Sequence, residues 1–173
     1  SGTIRFTCGL FLFQLGVNEC IKQFKKLYPH IHFDVYLTEN TVDLMDAQVD
    51  LALRITQKVA DGLIARPVCD IESIFCAHPH YLQDHTPLSH PSQLIQHECI
   101  GHHTHNQYWT LFDTDQQPQN YPLNVTFKSN DVIALYQMCL KAEGIAMLPT
   151  LLVRQDIAQQ RLQQVFTDFL HPT

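Results

Sequence analysis

The stretch Val49-Asp50-Leu51-Ala52-Leu53-Arg54-Ile55 decides the fold class of this chain. Its three consecutive apolar residues, Leu51 to Leu53, are typical of a short strand that lies in a parallel sheet and is covered on both faces. The run ends at Arg54, where a strand of that kind would reach solvent. The stretch therefore predicts a parallel strand followed at once by a charged side chain at the sheet edge.

The residues before this stretch supply the other elements that a parallel sheet needs. Polar and apolar residues alternate where strands are predicted, and apolar residues recur at helical spacing between them until Pro29. The predicted order is strand, helix, strand, short helix and strand, over residues 3–7, 13–28, 32–37, 42–47 and 51–53. This order predicts an α/β unit with right-handed crossovers.

The composition changes from His78 onward, where proline, histidine, glutamine and serine become frequent. Here Ser129-Asn130-Asp131 is an N-cap signal for a helix that starts at Val132, and Gly144 stands where a C-cap glycine belongs. Residues 145–148 predict a buried strand. The chain is thus divided into a first lobe over residues 1–73 and a second lobe over residues 74–173.

Composition and charge limit the classes of protein to which the chain can belong. The 173 residues are 45% hydrophobic and 16% charged, as in globular proteins, and 17 acidic against 11 basic side chains give a net charge of -6. An acidic surface gains little from a phosphate backbone, so this segment is not expected to bind DNA itself. No apolar run reaches the roughly 18 to 20 residues of a membrane helix. Six scattered cysteines favour reduced thiols and a cytoplasmic protein.

Several short motifs, in a fixed order, resemble one family over nearly the whole chain. The resemblance is to the ligand-sensing domain of LysR-type transcriptional regulators. The motifs that carry it are Gly2-Thr3-Ile4-Arg5-Phe6, Phe24-Lys25-Lys26-Leu27-Tyr28-Pro29, Val49 to Ile55, Asp61-Gly62-Leu63-Ile64-Ala65-Arg66, Ala77-His78-Pro79-His80-Tyr81-Leu82, Pro91-Ser92-Gln93-Leu94, and Gly144 to Pro149.

The resemblance implies a fold like that of type 2 periplasmic binding proteins, with two α/β lobes and a small-molecule effector in the cleft. It also implies a homo-oligomer, a dimer or tetramer, for which the helix over residues 13–28 is one candidate surface. DNA would be bound only through an N-terminal winged helix-turn-helix that this chain lacks. A segment that returns to the first lobe is expected beyond Thr173, so the chain is interpreted as a fragment. No catalysis, cofactor, metal or membrane is expected.

Ligands of open α/β sheets bind beyond the C-terminal ends of the strands, near helix N-termini. Three places in the sequence satisfy this rule, and the resemblance puts effectors at all three. They are the turn after the first strand, the end of the third strand, and a pair of segments in the second lobe. The candidate effector-binding residues are Cys8, Gly9, Leu10, Phe11, Arg54, Ile55, Thr56, His102, His103, Asn130 and Asp131.

Three of these candidates also have a purely structural interpretation. Arg54 could contact an anionic effector or pair with Asp50. Asn130 is more simply explained as a helix cap, and Cys8 as a small buried apolar residue. The turn after the first strand is unusually apolar over residues 10–13. Either the effector has a sizeable apolar portion, or the protein partly fills its own pocket.

Other functions are less well supported by the sequence. The cluster His102-His103-x-His105 with Cys99 nearby suggests a metal site, but the paired spacings of recognisable zinc sites are absent. No P-loop, Gly-x-Ser-x-Gly or Gly-x-Gly-x-x-Gly motif indicates an enzyme. The alternative to a regulator is an extracytoplasmic solute-binding protein of a transporter, which shares the fold and the cleft.

Overall fold

The computed structural model of the chain divides into two compact units, Ser1–Arg66 and Pro67–Thr173. We call them unit 1 and unit 2 and treat each by itself. The predicted lobe boundary at residue 73 stands at the start of the first strand of unit 2. The structure describes residues 2–39, 49–56, 62–104, 107–112, 115 and 117–169.

Unit 1 is built on a parallel sheet in the strand order β2-β1-β3. Its elements are β1 (Gly2–Cys8), α1 (Leu10–Leu12), a π-helical turn (Phe13–Val17), α2 (Asn18–Leu27), β2 (Ile31–Leu37) and β3 (Leu51–Leu53). Cys8 stands opposite Leu37 on one side and Leu53 on the other, so the three strands end together at one edge. The predicted parallel sheet is confirmed, whereas the helix predicted over residues 42–47 falls outside the described residues.

The first helical segment differs from the prediction at its start. It begins at Leu10 rather than at Phe13, and Phe11 and Leu12 are buried in its first turn. Four consecutive apolar residues hide the helical period there, so the pattern becomes visible only from Phe13 onward. The backbone of Gly16 is not helical, which interrupts the segment before α2.

The strand β3 forms where it was predicted, but it is not covered on both faces within unit 1. Leu51 is 57% exposed, and Ala52 and Leu53 are half-buried. It lies at one edge of the sheet and pairs with β1 over Phe6 to Cys8. Burial in unit 1 is concentrated instead at the end of β1 and the start of α1, in Phe6, Thr7, Cys8, Phe11 and Leu12.

Unit 2 contains a mixed sheet in the order β10-β4-β9-β5-β8 and a separate ribbon, β6-β7. The strand β5 is parallel to β8 and β9, and β4 is antiparallel to β9 and β10. The elements are β4 (Ser73–Ala77), α3 (Pro79–Asp84), a 3-10 helix (Pro91–Gln96), β5 (Glu98–His102), β6 (Tyr108–Phe112), β7 (Pro118–Pro122), β8 (Asn124–Ser129), α4 (Val132–Leu140), β9 (Ile145–Pro149), α5 (Thr150–Ala158) and β10 (Gln163–Val165). The predicted helix from Val132 and the predicted buried strand over residues 145–148 are confirmed.

The core of unit 2 lies on both faces of its mixed sheet. Phe75 belongs to one cluster of buried side chains and the next residue, Cys76, to the other. Ile145 and Ala146 divide in the same way on β9, as the two-residue period of a strand requires. None of the helices in the described ranges combines the length and the apolar character needed to cross a lipid bilayer.

Gly144 does not cap α4 as predicted. The helix ends at Leu140 with Lys141 as its C-cap residue, and Ala142 takes the left-handed conformation, with φ 62°. Gly144 has φ 145°, and a Cβ atom there would lie 2.5 Å from the backbone oxygen of Glu98. The glycine is therefore needed for close backbone approach between the start of β9 and β5.

Candidate functional site

The common edge of the parallel sheet in unit 1 brings together residues that are far apart in sequence. Cys8 and Leu53 are register partners in β1 and β3, so Gly9 and Arg54 follow neighbouring strand ends. Thr7 and Cys8 are almost fully buried at this edge. Two of the three predicted places, the turn after β1 and the end of β3, thus lie side by side within unit 1.

Arg54 is held at this edge by two hydrogen bonds. Its Nη2 donates to Oγ1 of Thr7 over 2.9 Å, and its Nη1 donates to the carbonyl of Leu53 over 3.0 Å. Burial lowers the pKa of Arg54, while the nearby charges of Glu39 and Cys8 raise it. The carboxylate of Asp50, the alternative partner, accepts a hydrogen bond from the backbone N–H of Arg5 over 2.8 Å.

Two polar residues that the sequence analysis did not select complete this site. Thr7 carries the hydroxyl that accepts from Arg54. Glu39 follows β2, and its carboxylate lies against the backbone of Gly9, where a Cβ atom would collide with Oε1 of Glu39. The signal that could have identified Glu39 is its position two residues after the end of β2, at the same sheet edge as Gly9 and Arg54.

The remaining candidates of unit 1 have different environments. Cys8 is fully buried, and burial is the main reason why the pKa of its thiol is raised. The interpretation of Cys8 as a small buried apolar residue therefore agrees with its surroundings. Phe11 is buried and Leu10 half-buried, whereas Ile55 and Thr56 are exposed. The residues that follow Gly9 are therefore apolar and largely buried, whereas those that follow Arg54 are exposed.

The candidates of unit 2 meet where β5 and β8 end. His102 is the register partner of Ser129, and the backbone N–H of His103 donates to the carbonyl of Ser129 over 3.1 Å. The backbone N–H of Thr104 donates to Nδ1 of His102 over 3.2 Å, which places the ring proton on Nε2. That Nε2 donates to the carbonyl of Asn130 over 3.0 Å. His102 thus fastens the end of β5 to the loop before α4.

The N-cap of α4 is Asp131 rather than Asn130. Its Oδ1 accepts from the backbone N–H groups of Ile133, over 2.7 Å, and Ala134, over 3.3 Å. The carboxylate of Asp131 thereby satisfies the donors that an anionic ligand would need at this helix end. An anion at the start of α4 would have to displace Asp131 from these two N–H groups.

The histidine cluster of unit 2 does not form a metal centre in the part of the chain that the structure describes. Among those residues, no three His, Cys, Asp or Glu side chains come together as ligands. The predicted cluster also included His105, which falls outside the described residues. All six cysteines are free thiols.

Comparison with known proteins identifies the family of the chain. The family described as LysR substrate binding domain matches residues 1–173. The chain belongs to this LysR family. This LysR domain is 27% identical over 173 residues to the HTH-type transcriptional regulator PtxR of Pseudomonas aeruginosa, covering 99% of the chain and 55% of PtxR. It is 31% identical over 140 residues to the regulator CrgA of Neisseria meningitidis, covering 81% of the chain and 47% of CrgA.

Solved structures agree with this assignment. The LysR domain resembles the regulatory domain of CrgA with a TM-score of 0.82 and 27% identity, covering 100% of the chain and 85% of that domain. It resembles full-length AphB of Vibrio cholerae with a TM-score of 0.84, covering 99% of the chain and 59% of AphB; at 23% identity this likeness shows the fold alone. The predicted fold class is confirmed. The chain spans about half the length of the curated relatives that it matches.

Proposed function

We propose that this chain is the small-molecule-sensing domain of a bacterial LysR-type transcriptional regulator. The observation that carries the proposal is the family match over all 173 residues, together with relatives that are named HTH-type transcriptional regulators. The sheet edge of unit 1 supports it, because polar groups of Thr7, Glu39 and Arg54 lie there together with Gly9 and the apolar turn that follows it. These relatives favour a regulator over a transporter's solute-binding protein.

The proposed mechanism is a shift between conformations of the domain rather than catalysis. An effector that binds one conformation more tightly than the other shifts the equilibrium between them, and the size of the shift is set only by that difference in affinity. The change would reach DNA through a helix-turn-helix domain of the whole protein, within a homo-oligomer in the bacterial cytoplasm. The chain's net charge of -6 supports the view that a separate domain contacts the phosphates.

We propose that effectors contact two groups of candidates, one in each unit. In unit 1 these are Cys8, Gly9, Leu10, Phe11, Arg54, Ile55 and Thr56, and we add Thr7 and Glu39, whose polar groups lie at the same sheet edge. In unit 2 they are His102, His103, Asn130 and Asp131. Buried polar groups whose hydrogen bonds are already satisfied can still orient a ligand, provided that the ligand replaces each bond it breaks.

A thermal-shift screen of small molecules against the 173-residue chain tests the proposal. A true effector should raise the melting temperature saturably, and Arg54→Gln should weaken its binding at least about tenfold, the loss of one charged hydrogen bond. Thr126→Val, an exposed substitution on β8, serves as the control and should leave binding unchanged. In the whole protein, the same compound should alter affinity for promoter DNA. A compound that binds both variants alike would remove Arg54 from the site.

A further inference from the structure

Glu39 lies against the backbone of Gly9. The backbone N–H of Thr38 donates to the carbonyl of Cys8 over 3.0 Å, which continues the pairing of β1 with β2 and brings Glu39 beside Gly9. A Cβ atom on Gly9 would collide with Oε1 of Glu39 and lie 2.5 Å from its Cδ. The backbone of Gly9, with φ -71° and ψ 155°, is one that any residue adopts. The space beside Gly9 is therefore occupied by the carboxylate of Glu39.

The same carboxylate acts on the charged and titratable groups of the sheet edge. The charge of Glu39 raises the pKa of Arg54, opposing the lowering by burial, and raises the pKa of the Cys8 thiol. Gly9 and Arg54 are adjacent because Cys8 and Leu53 are register partners. A carboxylate thus already lies at the edge where the backbone of Gly9 and a guanidinium would otherwise attract an anion.

We propose that Glu39 is a tethered carboxylate that fills the anion position beside Gly9 and Arg54, so that the site selects effectors with an uncharged group there. The proposal rests on the proposed function in that it takes this edge to be the effector site. A free carboxylate would have to compete with a group tethered to the same sheet, whose effective concentration is about millimolar or higher. It would also meet like charge, which opposes a second carboxylate in one site.

Chemical rescue with acetate, which resembles the end of the deleted side chain, tests this directly. Melting temperatures of the 173-residue chain and of Glu39→Ala are measured against sodium acetate, with sodium chloride at equal ionic strength as reference. We expect saturable stabilisation of Glu39→Ala by acetate, with an apparent affinity at least about tenfold tighter than that of the unsubstituted chain. Glu143→Ala removes an exposed carboxylate of unit 2 and should respond as the unsubstituted chain does.

Two further variants keep the test decisive. Glu39→Ser also removes the end of the side chain and replaces Glu39→Ala if the latter does not fold; it too should gain acetate binding. The double variant Glu39→Ala with Arg54→Gln should lose it, because the guanidinium that would attract the acetate is gone. Equal responses of Glu39→Ala, Glu39→Ser and the unsubstituted chain would overturn the proposal.

The failure of this inference differs from the failure of the proposed function. If acetate does not bind Glu39→Ala, but a screened compound still stabilises the unsubstituted chain and depends on Arg54, the sensing function stands and the tethered carboxylate is wrong. If acetate binds Glu39→Ala but no screened compound requires Arg54 for its binding, the sheet edge binds an anion once Glu39 is removed, but this edge is not the effector site.

Discussion

Replacing Thr7 by valine should weaken unit 1, because the hydroxyl of Thr7 holds Arg54 in place. Thr7 is 2% exposed, and its Oγ1 accepts from Nη2 of Arg54 over 2.9 Å. Valine has the same shape without the oxygen, so one donor of the half-buried guanidinium loses its acceptor. Hydrogen bonds to charged groups contribute about 1.5 to 3 kcal/mol. Arg54 keeps its bond to the carbonyl of Leu53 and some access to water, so we expect a loss of about 1 to 2 kcal/mol.

Hydrogen exchange measures this loss where it occurs. Peptides that cover β1 and β2 should exchange about 5 to 30 times faster in Thr7→Val, because 1.4 kcal/mol corresponds to about a factor of ten in the opening equilibrium. Thr3→Val is the matched control, since Thr3 is an exposed residue on the same strand and the substitution changes strand propensity in the same way. Its exchange rates should stay close to those of the unsubstituted chain.

Equal exchange in the two valine variants would refute the reasoning. It would mean that the hydroxyl of Thr7 contributes nothing to the fold and that Arg54 is fixed by its other contacts. Faster exchange confined to Thr7→Val, together with weaker binding of a confirmed effector, would show that the polar contact supports both the sheet and the site.

Two further outcomes follow from unit 2. Burial lowers the pKa of His97, so its neutral form favours the fold; this stability is complete above about pH 6.5 and is lost as the pH falls below it. The urea concentration at the midpoint of unfolding, followed by the fluorescence of Trp109, should therefore be lower at about pH 5.5 than at about pH 7.5. The substitution His97→Gln should reduce this difference between the two midpoints. The substitution Gly144→Ala should lower the free energy of unfolding by about 2 to 4 kcal/mol or prevent folding, because its Cβ would press on the backbone of Glu98. The control Gly2→Ala has open space around its Cβ and should leave the free energy of unfolding unchanged in the same denaturation assay.

Of the candidate site, the sequence predicted those residues whose positions depend only on where strands end. Gly9 and Arg54 follow β1 and β3, and parallel pairing brings them together at one edge. Glu39 obeys the same rule after β2, but its contact with Gly9 depends on a side-chain conformation that no periodicity encodes. Asn130 and Asp131 illustrate the same limit: both can cap a helix, and only the geometry shows that Asp131 is the cap.

Other differences arise from packing rather than from local pattern. The apolar run at Leu51 has the composition of a buried strand, yet it is exposed in unit 1, because burial depends on what packs on the sheet and not on the strand alone. Gly144 has the sequence position of a helix cap, but a glycine is needed there because the backbone of Glu98 lies too close for a side chain. Glu98 begins a strand 46 residues earlier in the chain. Contacts of this range cannot be read from spacing.

The polar groups at both predicted sites make contacts within the protein. Arg54 bonds to Thr7, Glu39 lies on Gly9, and Asp131 caps α4. A ligand that forms hydrogen bonds there must exchange them for bonds that already exist, and such an exchange yields little net free energy. Under the proposed function, the affinity of an effector would then come mainly from apolar contacts, while the polar groups would decide which ligands are rejected. On this argument Glu39 in unit 1 and Asp131 in unit 2 would each disfavour a carboxylate, and the apolar portion of an effector would determine how tightly it binds.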